Sequence, residues 1–152
     1  MSALASHTHT AAGGVEQALA SLRSRGGEGL VQELSKPLER GERPEQRLLE
    51  LGVVSDRDLA LEIAISSGRP FTALRGVEPD PKLFLYVPLE LAERELVFPL
   101  ILIGDSLTVA SAFLDPDLGL VQWRFPNLQV ELAIAPCSEI RDALTRARRE
   151  LV

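Results

Sequence analysis

The spacing of apolar residues in the first part of the chain predicts helices. Leu30, Leu34 and Leu38 repeat every four residues, which places them on one face of a helix. Pro37 lies inside this pattern and should bend or end the helix, because proline has no amide hydrogen to donate. A shorter helical pattern precedes it, over residues 15 to about 24.

A helix–turn–helix corner is predicted around Gly52. Leu48 and Leu51 lie on one face of a short helix that ends at Gly52, where glycine adopts a left-handed cap at little cost. Ser55 is a favourable N-cap for the next helix, which should run over residues 56–67 and be apolar on more than one side. The corner therefore joins two packed helices.

The pattern changes to alternation in the second part of the chain. Residues 97–103 and 107–114 are predicted as strands joined by a tight turn at Gly104-Asp105, and residues 128–135 as a third strand. Helices are predicted to start at Asp80, Leu89, Asp115 and Ser138, the last of which should run to about Glu150.

Together these patterns predict an α+β fold. A flexible tail over residues 1–14 precedes a helical subdomain over residues 15–68. A small α/β subdomain over residues 69–152 follows, with a three-stranded sheet flanked by helices.

Composition narrows the classes of protein that this chain can represent. The chain has 152 residues, of which 45% are hydrophobic and 25% charged, as in a globular protein. A formal net charge of -6 disfavours binding to a nucleic acid duplex. No apolar run is long enough to span a bilayer, and no secretory signal opens the chain. Its single cysteine fits a reducing cytoplasm.

The positive charges are almost all arginine. Lys36 and Lys82 are the only lysines among 16 basic residues. Arginine makes planar, bidentate contacts that lysine cannot make. A genome rich in G and C would produce the same bias without any functional meaning.

No catalytic, metal or cofactor site emerges from the residue types. Neither lysine follows a glycine, so the phosphate-binding loop of an ATPase is absent. His7 and His9 both lie in the predicted tail and would supply only two ligands to a metal. Cys137 has no histidine to activate it, and we interpret it as structural. Asp115 and Asp117 are explained as a helix cap and a partner of the helix dipole.

The order of the predicted elements resembles the N-terminal domain of type II secretion ATPases and type IV pilus assembly ATPases. The matching segments are ERPEQRLLELGVVSDRDLALEIAISSGRPF, EPDPKLFLYVPLELAERELVFPLILIGDSLTVASAFLDPDLGLVQWRF and IAPCSEIRDAL. In that family the domain is a non-enzymatic module that precedes a motor domain and docks on the inner-membrane platform of the machine. The resemblance therefore implies a bacterial, cytoplasmic interaction or regulatory module that reaches the membrane only through a protein partner.

Some members of that family bind cyclic di-GMP through two tandem copies of a motif, R-L-G-x-x-L-x-x-x-G-x-x-x-x-x-x-L-x-x-x-L-x-x-Q. The second copy is partly present here, and the residues that the resemblance assigns to ligand binding are Arg43, Leu48, Gly52, Leu59 and Ile63. Pro44 and Glu45 replace the Leu-Gly pair, and Ser66 replaces the glutamine, so polar contacts to the ligand are lost.

Two hypotheses of function follow, and a third has less support. The first is a non-catalytic protein-interaction or regulatory module without the motor domain. The second is a cyclic di-GMP sensor, and the third is an enzyme of unrecognised chemistry. For the first hypothesis, we expect an apolar surface on residues 97–103 or on the helix over residues 56–67 that is exposed in the isolated chain or covered in a dimer, because both carry more apolar side chains than a small core needs.

Overall fold

A computed structural model describes residues 44–50 and 55–152 of the chain. The helices are α1 (Pro44–Glu50), α2 (Asp56–Ser67), a 3-10 turn (Leu83–Leu85), α3 (Leu89–Glu95), α4 (Gly119–Arg124) and α5 (Cys137–Leu151), and the strands are β1 (Val97–Ile103), β2 (Ser106–Ser111) and β3 (Gln129–Ile134). The predicted tail, the helices over residues 15–38 and the Gly52 corner lie outside the described residues.

The three strands form one sheet in the order β1-β2-β3. β1 and β2 pair antiparallel and are joined by the two residues Gly104 and Asp105, where Gly104 has a φ of +59°. A positive φ costs glycine little, so the predicted tight turn is confirmed. β2 and β3 run parallel, and the crossover between them contains α4.

The outer side of β3 is partly covered by the chain that follows α2. Phe71 forms an isolated parallel bridge with Ile134. The amide of Ile134 donates to the Pro70 carbonyl, and the amide of Thr72 donates to the Ile134 carbonyl, both at 2.8 Å. Because Gly68 ends α2 in a left-handed conformation with a φ of +69°, the chain can turn directly from the helix to this edge.

Buried side chains form two apolar clusters within the described residues. The larger core lies between the sheet, α3, α4, α5 and the 3-10 turn, and includes Phe98, Val109, Val121 and Ile140. The smaller core joins α2 to the end of β3 and to the loop after β2, through Leu59, Ala60, Ile63, Ala64, Leu114 and Ile134. The helix α2 is therefore attached to the sheet through its own small core.

One face of the sheet is buried at one end and open at the other. The register places Phe98, Ala110 and Ala133 side by side, and all three are buried. Farther along the same face, Thr108 pairs with Ile101 and with Glu131. Ile101 and Glu131 are exposed, so the hairpin end of this face is open to solvent.

The predicted start of α2 is confirmed, whereas the predicted start of the last helix is wrong. Ser55 caps α2, because its Oγ accepts a hydrogen bond from the Asp58 amide at 3.1 Å. The last helix begins at Cys137, with Pro136 at the cap position, so Ser138 lies in its first turn. The Ser138 amide instead donates to Oδ2 of Asp56 at 2.9 Å, so a residue of α2 supplies the cap.

The predictions at Asp80 and Asp115 also need correction. The chain after Asp80 forms only a 3-10 turn, because Pro88 follows closely and cannot continue a helix. Asp115 precedes a loop, and α4 begins at Gly119. Oδ1 of Asp117 accepts a hydrogen bond from the Gly119 amide at 3.1 Å, so Asp117 and not Asp115 stands at this helix start.

The second strand is shorter than predicted. It ends at Ser111, whose buried hydroxyl donates to the Phe113 carbonyl at 2.6 Å and accepts from the Phe113 amide at 3.1 Å. This local pair of bonds gives the backbone an alternative to the sheet, so the strand stops there. The architecture is nevertheless the predicted α+β fold with a three-stranded sheet, whereas the boundary between two subdomains at residue 68 stays a prediction.

Candidate functional site

The predicted cyclic di-GMP residues are only partly described by the structure. Arg43 and Gly52 lie outside the described residues, and Leu48 belongs to α1. Leu59 and Ile63 lie on α2 with exposed fractions of 3% and 1%. Both belong to the smaller core, so in this conformation their side chains hold α2 in place and do not face solvent. Their role in ligand binding stays a prediction.

Cys137 is a buried thiol in the first turn of α5. Burial raises its pKa, the negative charge of Asp56 adds to this effect, and the positive charge of Arg141 opposes it. A thiol with a raised pKa carries little thiolate near neutral pH and is a poor nucleophile. The burial of Cys137 agrees with its interpretation as a structural residue, which stays a prediction.

The expected exposed apolar surfaces are present on both predicted segments. Ile65 of α2 is 76% exposed, and Ile103 of β1 is 69% exposed. The sequence prediction missed Trp123 of α4, which is 79% exposed although tryptophan is usually well buried. Leu120 lies three residues before it and is also exposed, so both lie on the same side of α4. Such side chains are typical anchors of protein interfaces.

A polar cleft lies where α2, α5 and the segment between α2 and the 3-10 turn meet. Its volume is about 480 Å³, which is in the range of small binding sites. Six charged residues line this cleft, which we call the arginine cleft: Arg57, Arg75, Arg146, Asp56, Glu139 and Asp142. The three arginines come from three separate elements of the chain. No periodicity in the sequence brings them together, so sequence analysis could not find the cleft.

Two carboxylates at the cleft connect its walls to each other. Oδ2 of Asp56 accepts from the Ser138 amide, and Oε1 of Glu139 accepts from the Leu74 amide at 2.8 Å. Burial alone would raise the pKa of Asp56, but the hydrogen bonds from Ser138 and from nearby backbone amides outweigh it and lower the pKa. Both links join residues far apart in sequence, so they fix the position of α5 relative to α2 and to the segment around Leu74.

The described residues give no support for a metal site of conventional composition. Across residues 44–50 and 55–152, no group of three histidine, cysteine or acidic residues is placed to hold an ion. The same stretch includes no helix with the length and hydropathy needed to cross a membrane.

Solved structures share this fold, and three of them are described by their similarity to this chain. They are a structure described as MshE with cdg (24% identity, TM-score 0.56, covering 88% of this chain and 86% of that one) and the N-terminal domain of XpsE in two crystal forms. The XpsE domain matches with 21% identity, a TM-score of 0.67 and coverage of 88% of this chain and 94% of that one in one form. In the other form the identity is 25%, the TM-score is 0.55, and the match covers 84% of this chain and 83% of that one.

A search of curated proteins finds no match. The similarities to MshE and XpsE show a shared fold. Together with the MshEN family match, they confirm the resemblance to the N-terminal domains of type II secretion and type IV pilus ATPases, and the family match supports a regulatory or interaction module as the kind of protein. The MshEN domain matches residues 67–151, which is more than half of the chain. The chain therefore belongs to the MshEN domain family.

Proposed function

We propose that this chain is a non-catalytic, cytoplasmic module that binds a protein component of a bacterial secretion or pilus machine. The observation that carries the proposal is the MshEN match over residues 67–151. The similar solved domain of XpsE is itself described as an N-terminal domain, which supports the same interpretation. The module contacts the membrane only through its partner, and it works without a cofactor or a catalytic group of its own.

Exposed apolar anchors support a role in binding to another protein. Trp123 and Leu120 on α4, and Ile103 at the hairpin end of β1, are large side chains that the fold leaves in contact with water. Keeping them exposed is unfavourable by roughly 25 cal/mol for each Å² that a partner could cover. A partner that covers them gains this free energy on binding.

The direct test is deletion in the native cell, followed by complementation. We expect deletion to impair secretion or pilus-dependent motility, and the intact chain to restore it. Cross-linking in the same cells should recover a secretion, pilus or signalling component. Normal secretion and motility after deletion, together with recovery of unrelated proteins only, would contradict the proposal.

The alternative function is a cyclic di-GMP sensor. It is favoured by the structure described as MshE with cdg, an abbreviation of cyclic di-GMP, and by the partial motif that includes Arg43 and Gly52. Calorimetric titration of the full chain with cyclic di-GMP tests this function. Saturable heat that disappears in Arg43→Ala but persists in Arg94→Ala, on the exposed side of α3, would establish it, whereas no heat in the wild type would exclude it.

A further inference from the structure

Most of the residues that line the arginine cleft are charged, and its three arginines come from separate elements of the chain. The guanidinium carbon of Arg57 lies 5.4 Å from the centroid of the Phe71 ring, within the range of a cation–π contact. Phe71 in turn forms the bridge to Ile134 of β3. Phe71 therefore restrains the Arg57 side chain and is itself fixed at the edge of the sheet.

Arg75 occupies the tip of a tight turn. The Val77 amide donates to the Leu74 carbonyl at 3.1 Å, and Gly76 has a φ of +80°, as the third position of a type II turn requires. The Leu74 side chain is buried, and its amide is bound by Glu139 of α5. The start of the turn is therefore held by the buried Leu74 side chain and by the bond to Glu139, and the turn places Arg75 at the mouth of the cleft.

Arg146 completes the group from the side of α5. It is half-buried, one helical turn after Asp142. Within the described part of the chain, neither Arg146 nor Arg57 nor Arg75 forms an ion pair with a carboxylate. Their guanidinium groups therefore have hydrogen-bond donors available to an anionic acceptor of a ligand.

The carboxylates of the cleft balance the formal charge of its arginines, and they limit which anion the cleft suits. One oxygen of Asp56 and one of Glu139 accept backbone amides, so these groups act as structural links. Asp142 is exposed at the rim. The formal charges of the six lining residues sum to zero, and the whole chain carries -6. Because the lining has no net positive charge, the cleft suits a ligand that carries hydrogen-bond donors beside its acid better than a multiply charged phosphate, a nucleic acid or an anionic membrane.

We propose that the arginine cleft binds a carboxylate-bearing peptide segment of a protein partner. Arginine pairs in a bidentate fashion with the carboxylate of an Asp or Glu side chain. The free acceptor atoms of Asp142 and Glu139 then suit the amide groups of the same peptide, which carries donors beside its acids. This assignment rests on the proposed function as an interaction module and names the chemistry of the partner.

The probe for the test is a fluorescein-labelled peptide of Glu-Ala-Ala repeats, with a Gln-Ala-Ala peptide as its neutral match. The full chain is titrated with each peptide, and fluorescence anisotropy is read at low and at high salt. We expect saturable binding of the acidic peptide only, weakened by salt. Arg75→Glu should weaken it by at least about tenfold, because an attractive charge contact becomes a repulsive one.

Two further variants keep the test decisive. Arg146→Gln removes one charge without reversing it and should weaken binding less than Arg75→Glu. Arg124→Glu makes the same charge change at an exposed position of α4, outside the cleft, and should leave binding unchanged. Circular dichroism verifies that each variant is folded. Equal weakening by Arg75→Glu and Arg124→Glu, absence of acidic-peptide binding, or binding of pyrophosphate in place of the peptide would each overturn the proposal.

The result also separates this proposal from the proposed function. If deletion impairs secretion or motility and Arg75→Glu restores both as well as the wild type does, the chain acts in the machine but not through the arginine cleft. If deletion has no effect while the acidic peptide still binds in a manner that depends on Arg75, the cleft is a peptide site and the assigned machine is wrong.

Discussion

The larger and the smaller core are both apolar, but they differ in how many elements contribute to them. Two strands, three helices, a 3-10 turn and several loop residues supply the buried side chains of the larger core. An ion pair between Arg148 of α5 and Glu93 of α3 lies at its surface. In the smaller core, α2 supplies four side chains that meet only Leu114 and Ile134 among the buried residues. Removal of one side chain therefore takes a larger share of the smaller core.

This difference indicates that α2 is the part of the described fold that opens most easily. Besides its core, α2 is held by the hydrogen bond that the Ser138 amide donates to Asp56, and the segment after α2 is held by the backbone bonds of Pro70 and Thr72 with Ile134. Local opening is governed by the contacts that are lost in the opening, not by the stability of the whole molecule. Since the arginine cleft spans α2 and α5, such opening would also separate its walls.

The largest effect is expected in the larger core, from Phe98→Ala. Phe98 is almost fully buried and makes an edge-to-face contact with Phe84 at a centroid distance of 5.8 Å. Its truncation should lower the free energy of unfolding by about 3–5 kcal/mol. Urea denaturation followed by circular dichroism measures this loss. A loss below about 1 kcal/mol would contradict the view that this core determines global stability.

A somewhat smaller effect is expected in the smaller core, from Ile63→Ala. Ile63 is buried between α2 and the end of β3, so the cavity left by its truncation should cost about 2–4 kcal/mol. Hydrogen exchange followed by mass spectrometry should locate the loss mainly in α2, with protection of β2 retained. If α2 and β2 lost protection together, the two cores would form a single cooperative unit, and the comparison would fail.

The link between α2 and α5 is tested by Asp56→Asn, which replaces a charge-assisted hydrogen bond by a neutral one and should cost about 1 kcal/mol at neutral pH. Because the folded-state pKa of Asp56 lies below its ordinary value of 3.8, its contribution is present above about pH 4 and is lost as the pH falls through the lowered folded-state pKa. The stabilities of wild type and variant should therefore converge in acid.

Asp58→Asn is the matched control for this measurement. Asp58 lies in the same turn of α2 and experiences the same helix dipole, but the Ser138 amide donates to Asp56. The difference between the two variants therefore isolates the link to α5. Equal pH profiles for both would show that the dipole, and not the link, determines the effect.

The smallest effect is expected from Ile65→Ala, which repeats the Ile63→Ala change two residues farther along α2. Ile65 is exposed, so its truncation should change the free energy of unfolding by no more than about 0.5 kcal/mol. Urea denaturation of the two variants side by side gives the contrast. A large loss at Ile65 would mean that this side chain is covered in solution.

Most elements of the described fold could be predicted because their signals are local. The turn at Gly104-Asp105, the Ser55 cap and the strand Val97–Ile103 depend on residues next to each other in sequence. The errors occurred where a distant or competing group decides the outcome. Asp56 caps α5 from 82 residues away, and the hydroxyl of Ser111 ends β2 before its apolar pattern ends.

The candidate site was less predictable than the fold. The arginine cleft depends on a turn, a helix start and a helix middle that only the tertiary structure brings together. The excess of arginine over lysine was its one signal in the sequence, and that signal does not say which arginines converge. Trp123 was missed for a related reason, because a helical pattern alone does not show which side of a short helix remains open.

The single cysteine is a native chemical probe of local opening in this molecule. Cys137 lies in the first turn of α5, next to the residue that Asp56 binds, and its thiol is buried. An alkylating reagent can reach the sulfur only after α5 or its neighbours have moved away. The rate of alkylation of Cys137 under native conditions therefore reports how often this region opens, without any engineered label. A faster rate in Asp56→Asn would show that the bond between Asp56 and Ser138 restrains the separation of α2 and α5.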